Sequence, residues 1–456
     1  MSSQRQFFGT DGVRAKANVA PMTPEFVLRL GQAAARVLLA ASVPATSRRP
    51  LCVIGRDTRA SGEMFEAALI AGLNAIGVDV ALAGVVPTPA VALLCPQMGA
   101  CMGVVISASH NPFTDNGIKI LRGDGRKLDD ATEWAIEQEA LRPLGDAQRA
   151  RGQAIGRVTR LEDAAKPFVD HAVASMRGVR LDGMRIILDN ANGAAGVASA
   201  RALSQLGAQV QCFHDAPDGY NINEECGCTH PEIIESLMKT GRADVGLAHD
   251  GDADRLVLCD EFGVALDGDE LMAIAADFML REGSLQQRTL AVTIMSNFGL
   301  DAMVRELGGS VIRTAVGDRY VLEAMQKQGL NLGGEQSGHI VFGDWCTTGD
   351  GLIAALQVLR IMRLTGRPLS ELRRCLRLFP QVKRDVRVSR KPALDGVEGV
   401  MTWVRCAEKQ LEGCGRVLLR YSGTESILRI LVEGPETVDL QALVRDIEAA
   451  VLENLG

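Results

Sequence analysis

Three times along the chain, an apolar run is followed by a polar turn, a stretch of helical periodicity, a glycine and a second apolar run. The copies are LCVIGRDTRASGEMFEAALIAGLNAIGVDVALAG from Leu51, RIILDNANGAAGVASARALSQLGAQVQCF from Arg185 and LAVTIMSNFGLDAMVRELGGSVIRT from Leu290, with Gly77, Gly207 and Gly308 in equivalent places. Continuous Val/Ile/Leu runs, rather than alternation, mark strands buried on both faces, so each copy reads as a βαβ unit. A repeat of this kind predicts related domains in tandem. Beyond residue 375 the pattern changes. FPQVKRDVRVS, GRVLLRYSGT and SILRILVEG alternate like half-buried strands, and TVDLQALVRDIEAAVLENL has helical spacing. The expected fold class is therefore α/β, with three similar mixed α/β domains at 1–156, 157–257 and 258–371 and a smaller C-terminal α+β domain at 372–456.

Composition narrows the class without changing it. A chain of 456 residues has room for three or four domains at roughly 150 residues each. With 47% hydrophobic and 23% charged residues it is globular rather than disordered. Lys plus Arg is 49 against 56 for Asp plus Glu, a net charge of −7, so no basic field invites nucleic acid or an anionic membrane. Eleven irregularly spaced cysteines suit a reducing compartment, and the cytoplasm is expected. The start, MSSQRQFFGTDGVRAKAN, lacks the apolar region of a signal peptide. The uncharged stretch Val80 to Ser109 is interrupted by Pro87, Pro89, Pro96, Gly84, Gly99 and Gly103, so it reads as strand, turn, short helix and strand rather than a membrane span.

Four segments concentrate chemistry. After the apolar VVI, Ser107-Ala108-Ser109-His110-Asn111-Pro112 places hydroxyls just past a strand's carboxyl end, where α/β ligand sites form. Without a G-x-S-x-G elbow an acyl-transfer serine is disfavoured, and a polar turn explains the segment equally well. Lys119, in DNGIKI, would supply a cation or be an ordinary lysine. His249-Asp250-Gly251-Asp252-Ala253-Asp254-Arg255 sets three carboxylates at i, i+2 and i+4, which converge on one hard cation only if the backbone loops around it. The spacing also imitates an EF-hand with Glu261 at the twelfth position, but Arg255 stands where that loop needs glycine and the flanks read as strands. Mg²⁺ shared with a phosphate oxygen suits it better than Ca²⁺. Gly333 to His339, GGEQSGH, has the density of directional polar groups that sugar hydroxyls require. Arg420-Tyr421-Ser422-Gly423-Thr424-Glu425-Ser426, with Arg429 beyond, reads as an anion cradle or, with equal weight, as a β-turn. Cys226, Cys228 and His230 lack a fourth zinc ligand at familiar spacing and are assigned to packing, while His171 and His214 have no such context.

Taken together, FGTDGVR at 8–14, SASHNP at 107–112, DGDADR at 250–255, GEQSGH at 334–339 and RYSGTE at 420–425 resemble the α-D-phosphohexomutase superfamily, in family order and across nearly the whole chain. Within it, FFGTDGVR, SASHNPFTDNGIK, NINEECGCTHPE and GEQSGH resemble the bacterial phosphoglucosamine mutases most. Two positions depart from the pattern: Ala15 follows Arg14, where glycine is usual, and Ser426 follows Glu425, where proline is common.

The resemblance implies a heart-shaped, four-domain enzyme with one loop per domain at a central cleft. It implies that Ser109 is the phosphorylated serine and that Asp250, Asp252 and Asp254 hold Mg²⁺, completed by a phosphoserine oxygen on Ser109. Arg14, His110, Lys119 and Arg255 would line the reaction centre. Glu335, Ser337 and His339 would bind the sugar, and Arg420, Ser422, Gly423, Thr424 and Arg429 the distal phosphate. The implied reaction interconverts glucosamine 6-phosphate and glucosamine 1-phosphate through a hexose 1,6-bisphosphate, feeding UDP-N-acetylglucosamine and cell-wall precursors. The base is left open between Lys119 and His110. Rival readings are a phosphoglucomutase/phosphomannomutase, a metal-dependent sugar phosphatase, and a non-catalytic sugar-phosphate-binding protein. The expected partners are small-molecule sugar phosphates, with no nucleic acid or membrane, and the resemblance is compatible with a homodimer.

Overall fold

The computed structural model describes residues 6–41, 49–142, 145, 148–422 and 425–456. They form two compact units. One comprises Met1–Met295 with Ile312–Arg374, the other Ser296–Val311 with Cys375–Gly456.

The first unit is built on mixed sheets. In the six-stranded sheet the order is Val13–Lys16, Asp115–Arg122, Met102–Ile106, Leu51–Arg56, Asp79–Val85 and Val158–Arg160. The last four strands run parallel, and Asp115–Arg122 turns back antiparallel to both of its neighbours. The five-stranded sheet runs Ala265–Leu266, Leu256–Cys259, Val245–His249, Arg185–Asp189 and Gln209–Phe213. A four-stranded sheet contains the parallel pair Thr289–Thr293 and Leu332–Gly334, with Ile340–Phe342 returning antiparallel. Each repeat resolves into strand, helix and strand, with helices Gly62–Asn74, Ser199–Gln205 and Gly299–Glu306, the last of which lies in the second unit. Gly77, Gly207 and Gly308 all adopt positive φ (86°, 93° and 72°). The chain must leave the last helical turn in the left-handed conformation to enter the next strand, and only glycine does this without steric cost.

The first sheet is covered by packed helices. Phe65, Leu69 and Leu73 of Gly62–Asn74 pack with Phe26 and Leu30 of the helix Pro24–Ala41 onto Ile54, Val80 and Leu82, all buried. Each such side chain contributes about 1.5–3 kcal/mol. Three polar segments leave the carboxyl ends of buried strands: Ser107 follows Met102–Ile106, Asp250 follows Val245–His249, and Glu335 follows Leu332–Gly334. In α/β sheets this is the edge where ligands bind.

The second unit is an antiparallel sheet, Gln381–Arg387, Ile427–Glu433 and Arg416–Tyr421, with the helices Glu398–Gln410 and Leu440–Leu455. Its core joins Leu428, Ile430 and Val432 to Val400, Val404, Leu443, Ile447 and Val451, so the alternate residue Arg429 points away from that core and is exposed. No helix among the described residues is long and apolar enough to cross a membrane.

Candidate active site

Ser109 is held in an unusual backbone conformation by buried partners. Its φ is +54°, and it is only 1% exposed. The Ser109 amide donates to Ser107 Oγ (2.9 Å), whose hydroxyl donates to Asp57 Oδ2 (2.6 Å). Asp57 also accepts from Arg59 Nε (2.9 Å), and Arg59, fully buried, donates to the carbonyls of Ser109 (2.9 Å), Asn111 (2.7 Å), Asp115 (3.1 Å) and Pro112. Asn223 Nδ2 donates to two of the same carbonyls, Ser109 (2.9 Å) and Asn111 (3.1 Å). A fully buried guanidinium is stable only when paired and hydrogen-bonded, and here that requirement fixes the loop. Sequence reasoning missed both Arg59 and Asn223. The signals were Arg59 in the polar turn after the strand Leu51–Arg56, and NINEECGC.

The Ser109 hydroxyl donates to Asp250 Oδ2 at 2.6 Å. Asp250, Asp252 and Asp254 are buried and bring one carboxylate oxygen each within 4.8 Å of one another. Lys119 Nζ lies 2.7 Å from Asp252 Oδ2, 2.9 Å from Asp254 Oδ2 and 2.9 Å from Asp11 Oδ2. Thr88 donates its hydroxyl to Asp252 Oδ2. Oδ1 of Asp252 and Oδ1 of Asp254 remain buried without a hydrogen-bond partner. Two orphaned carboxylate oxygens beside a third carboxylate, all hard donors, fit a divalent cation such as Mg²⁺.

Electrostatics distinguishes the groups around Ser109. Burial, followed by the charges of Asp254 and Asp252, pushes Asp250 up to about 7. Burial opposes the charge on Lys119, but Asp11, Asp252 and Asp254 outweigh it and hold the ammonium well above its usual range. His110 is pushed down to about 4, by burial and then by Arg255 and Arg14, so its ring is neutral. Its Nδ1 lies 3.4 Å from Ser109 Oγ. Arg14 donates from Nη1 to Ala108 O (3.3 Å) and pairs with Asp11, while Arg255 donates its amide to Asp250 Oδ1 (3.2 Å).

The same charges continue toward the GEQSGH loop in a closed ring. Asp254 meets Lys119, Lys119 meets Asp11, and Asp11 meets Lys127, which reaches Asp318. Asp318 Oδ2 lies 3.1 Å from His339 Nε2, and His339 Nδ1 returns to Asp254 Oδ1 at 3.6 Å, beyond hydrogen-bond reach. Asp11, Lys127 and Asp318 were not singled out from the sequence, because each is an ordinary charged residue until its partners are known. His339 packs against Gly349, where a Cβ would come within 2.3 Å of its ring. Glu335 accepts the Gly317 amide at Oε1 (3.1 Å), and Ser337 is exposed. Arg14, His110, Asp254, Arg255, Glu335 and His339 line one cavity of about 350 Å³, large enough for a small polar ligand.

The fourth segment lies in the second unit. Arg420 and Arg429 stand directly opposite each other on paired strands, both exposed. Like charges in that relation repel, and Arg429 is offset by Asp385 Oδ1 and Glu425 Oε2, each 3.9 Å away. Ser422 Oγ accepts the Glu425 amide (3.2 Å), and Lys391 donates to Ser422 O (2.6 Å). Gly423 and Thr424 lie outside the described residues.

The C-x-C-x-H segment does not act as a metal site, in keeping with its assignment to packing: Cys228 packs in an apolar cluster, and His230 pairs with Glu232. Cys226 instead lies with Asp189 and with His214, the histidine whose sequence neighbours offered no context.

Comparison with known proteins covers the whole chain. Four models of the phosphoglucomutase/phosphomannomutase family match in order: alpha/beta/alpha domain I at residues 5–143, domain II at 166–269, domain III at 267–379 and the C-terminal domain at 385–450. The phosphoglucosamine mutase of Pelobacter propionicus is 47% identical over 453 residues, 99% of each chain. That of Nitratidesulfovibrio vulgaris is 48% identical over 452 residues, again 99% of each. Among solved structures, a phosphoglucomutase/phosphomannomutase family protein from Burkholderia thailandensis superposes with a TM-score of 0.80 at 22% identity, covering 98% of this chain and 97% of that one. An Aspergillus fumigatus N-acetylphosphoglucosamine mutase, solved with GlcNAc-6P and magnesium, gives 0.66 at 18% identity over 100% and 97%. Nearly half of all positions are shared end to end, and the four domain models match in order, so the chain belongs to the phosphoglucomutase/phosphomannomutase family and, within it, to the phosphoglucosamine mutases.

Proposed function

We propose that this protein is an isomerase that interconverts glucosamine 6-phosphate and glucosamine 1-phosphate, with Ser109 Oγ carrying the phosphoryl group between them. The observation that carries the mechanism is the Ser109 hydroxyl 2.6 Å from Asp250, inside a triad whose Asp252 and Asp254 keep unpartnered oxygens. Asp250, Asp252, Asp254 and the Ser109 side chain are the residues that would hold Mg²⁺. When bound, the ion neutralises charge on the transferring phosphoryl oxygens.

The residues divide the remaining work. Arg59 and Asn223 fix the Ser109 carbonyl, so the Oγ is presented without a reorganisation cost at the moment of transfer. Lys119, kept charged by three carboxylates, donates to phosphoryl oxygens, as do Arg14 and Arg255. The neutral His110 is the group beside Ser109 with a lone pair to offer a sugar hydroxyl proton, a role Lys119 cannot take while charged. Glu335, Ser337 and His339 hold sugar hydroxyls. Transfer to either oxygen of the sugar passes through a hexose 1,6-bisphosphate, which reorients and returns its other phosphate to Ser109. A bisphosphate sugar therefore also serves as activator. Eleven free cysteines suit a cytoplasmic enzyme.

Turnover of glucosamine, glucose and mannose 6-phosphates by one phosphorylated preparation tests this reading. Glucosamine 6-phosphate should be converted fastest, with no inorganic phosphate released. Preference for glucose or mannose would move the enzyme to another branch of the family, and stoichiometric phosphate release would make it a phosphatase.

Arg420 and Arg429 are assigned to the phosphate that is not being transferred. Guanidinium contacts recognise phosphate and not a particular sugar carbon, which suits a ligand that must bind in two orientations. Arg420→Ala should weaken both monophosphates alike, by about ten- to a hundredfold, since a charge-assisted bond contributes roughly 1.5–3 kcal/mol. It should also require more added glucose 1,6-bisphosphate, because intermediate escapes during reorientation. Steady-state rates against that activator check it. An unchanged requirement with unchanged substrate affinity would reduce the segment to a turn.

A further inference from the structure

Away from the aspartate loop, the turn after the strand Arg185–Asp189 meets two other segments of the chain. Asp189, His214 and Cys226 bring a carboxylate oxygen, an imidazole nitrogen and a thiol sulfur within 4.8 Å of one another. Among the described residues only this group and the aspartate triad do so with three such donors. We propose that Asp189, His214 and Cys226 form a binding site for a borderline-soft divalent transition ion of the Zn²⁺ class, distinct from the Mg²⁺ site.

The donor set decides the class of ion. Thiolate and imidazole are poor ligands for hard Mg²⁺ but preferred ones for Zn²⁺ and its spectroscopic substitute Co²⁺, so Mg²⁺ does not compete. Zinc bonds of about 2.0–2.3 Å place tetrahedral ligands roughly 3.3–3.7 Å apart, a short closure from the separations present. His214 Nδ1 is already 3.0 Å from Asp189 Oδ1, yet it is buried without an aligned hydrogen bond. Its contact is thus with another donor of the same group, so an ion would replace a contact within the site rather than one to the rest of the protein.

The surroundings hold the donors in place. Asp189 accepts the amides of Ala191 at Oδ1 (2.9 Å) and Gly227 at Oδ2 (2.9 Å), which orient the carboxylate, and each oxygen retains a second lone pair. The Asn192 amide donates to His214 O (2.7 Å), and His214 itself sits at φ +47°. Asp189 and Cys226 are fully buried, while the His214 side chain is 30% exposed. Three protein ligands with solvent on one side leave a fourth position for water. On binding, the sulfur bonds to the ion and the thiol proton leaves to solvent, so the site gains one net positive charge, which the buried Asp189 carboxylate offsets.

The site is one backbone step from the aspartate loop. Ala194 donates its amide to Gly251 O and Cys228 donates its amide to His249 O, both at 2.8 Å. Bridging Asp189, His214 and Cys226 therefore ties together the segments that support Asp250.

Titration of the full-length protein with Co²⁺, in the presence of excess Mg²⁺, tests the proposal. The expected result is one equivalent bound with a thiolate-to-cobalt charge-transfer absorption, displaced by Zn²⁺. Cys226→Ser should lose that absorption. His214→Gln should weaken binding by more than about tenfold, since even a hydrogen-bond partner of a metal ligand is worth that much. Asp250→Asn should keep the signal, because it belongs to the other site. Absence of the thiolate band at one equivalent overturns the proposal. So does wild-type affinity in His214→Gln, a partly exposed position that decides the matter even if Cys226→Ser does not fold.

Discussion

Ser109→Ala is expected to fold and to lose mutase turnover by about four orders of magnitude or more, the scale on which removing a nucleophile acts. The side chain makes one strong hydrogen bond, to Asp250 Oδ2, and Asp250 keeps the Arg255 amide on its other oxygen. The stability cost is then about 1–3 kcal/mol, too little to unfold a chain with cores of this size. The Arg59 and Asn223 contacts are to backbone carbonyls and survive the substitution. Intact-mass measurement should show one phosphate on the wild type, mapping to Ser109, and none on the variant. Wild-type turnover by the variant would overturn the mechanism.

Removing the metal should have an effect nearly as large. In excess chelator, turnover is expected to fall by at least about three orders of magnitude and to return with Mg²⁺, because the charge is needed most as the phosphoryl group transfers. Asp252→Asn separates this from a general weakening of the fold. Lys119 retains Asp254 and Asp11 as partners in that variant, so the protein should remain folded. Its Mg²⁺ affinity and its turnover should fall together, read as the Mg²⁺ concentration for half-maximal rate. Full activity in chelator would show that the triad serves Lys119 alone.

How much of this was legible in the sequence depends on how far apart the partners lie. The βαβ repeats were readable because buried parallel strands appear as continuous apolar runs, and the glycines that end the helices recur at one place in each copy. The aspartate triad was readable because its carboxylates sit two residues apart. The ring through Asp11, Lys127 and Asp318 was not, since those residues are separated by more than a hundred positions and a lone charged residue looks the same whether solvated or buried. Arg59 is the clearest instance. Nothing in its local sequence, a polar turn, marks it, yet it is among the largest fully buried side chains of the described residues. Cys226 was grouped with its sequence neighbours Cys228 and His230, whereas its spatial neighbours come from strand ends brought together by the five-stranded sheet.

The positive φ of Ser109 limits which amino acid could take the role proposed for it. Threonine offers the same hydroxyl and is phosphorylated as readily in principle, so reactivity alone would make the two interchangeable. At φ +54° a β-branched side chain is a steric outlier, because its second γ-substituent crowds the neighbouring backbone. The backbone cannot rotate to relieve that crowding while Arg59 and Asn223 grip the Ser109 carbonyl. On the proposed role, serine is preferred to threonine through a torsion angle and not through the reactivity of the oxygen.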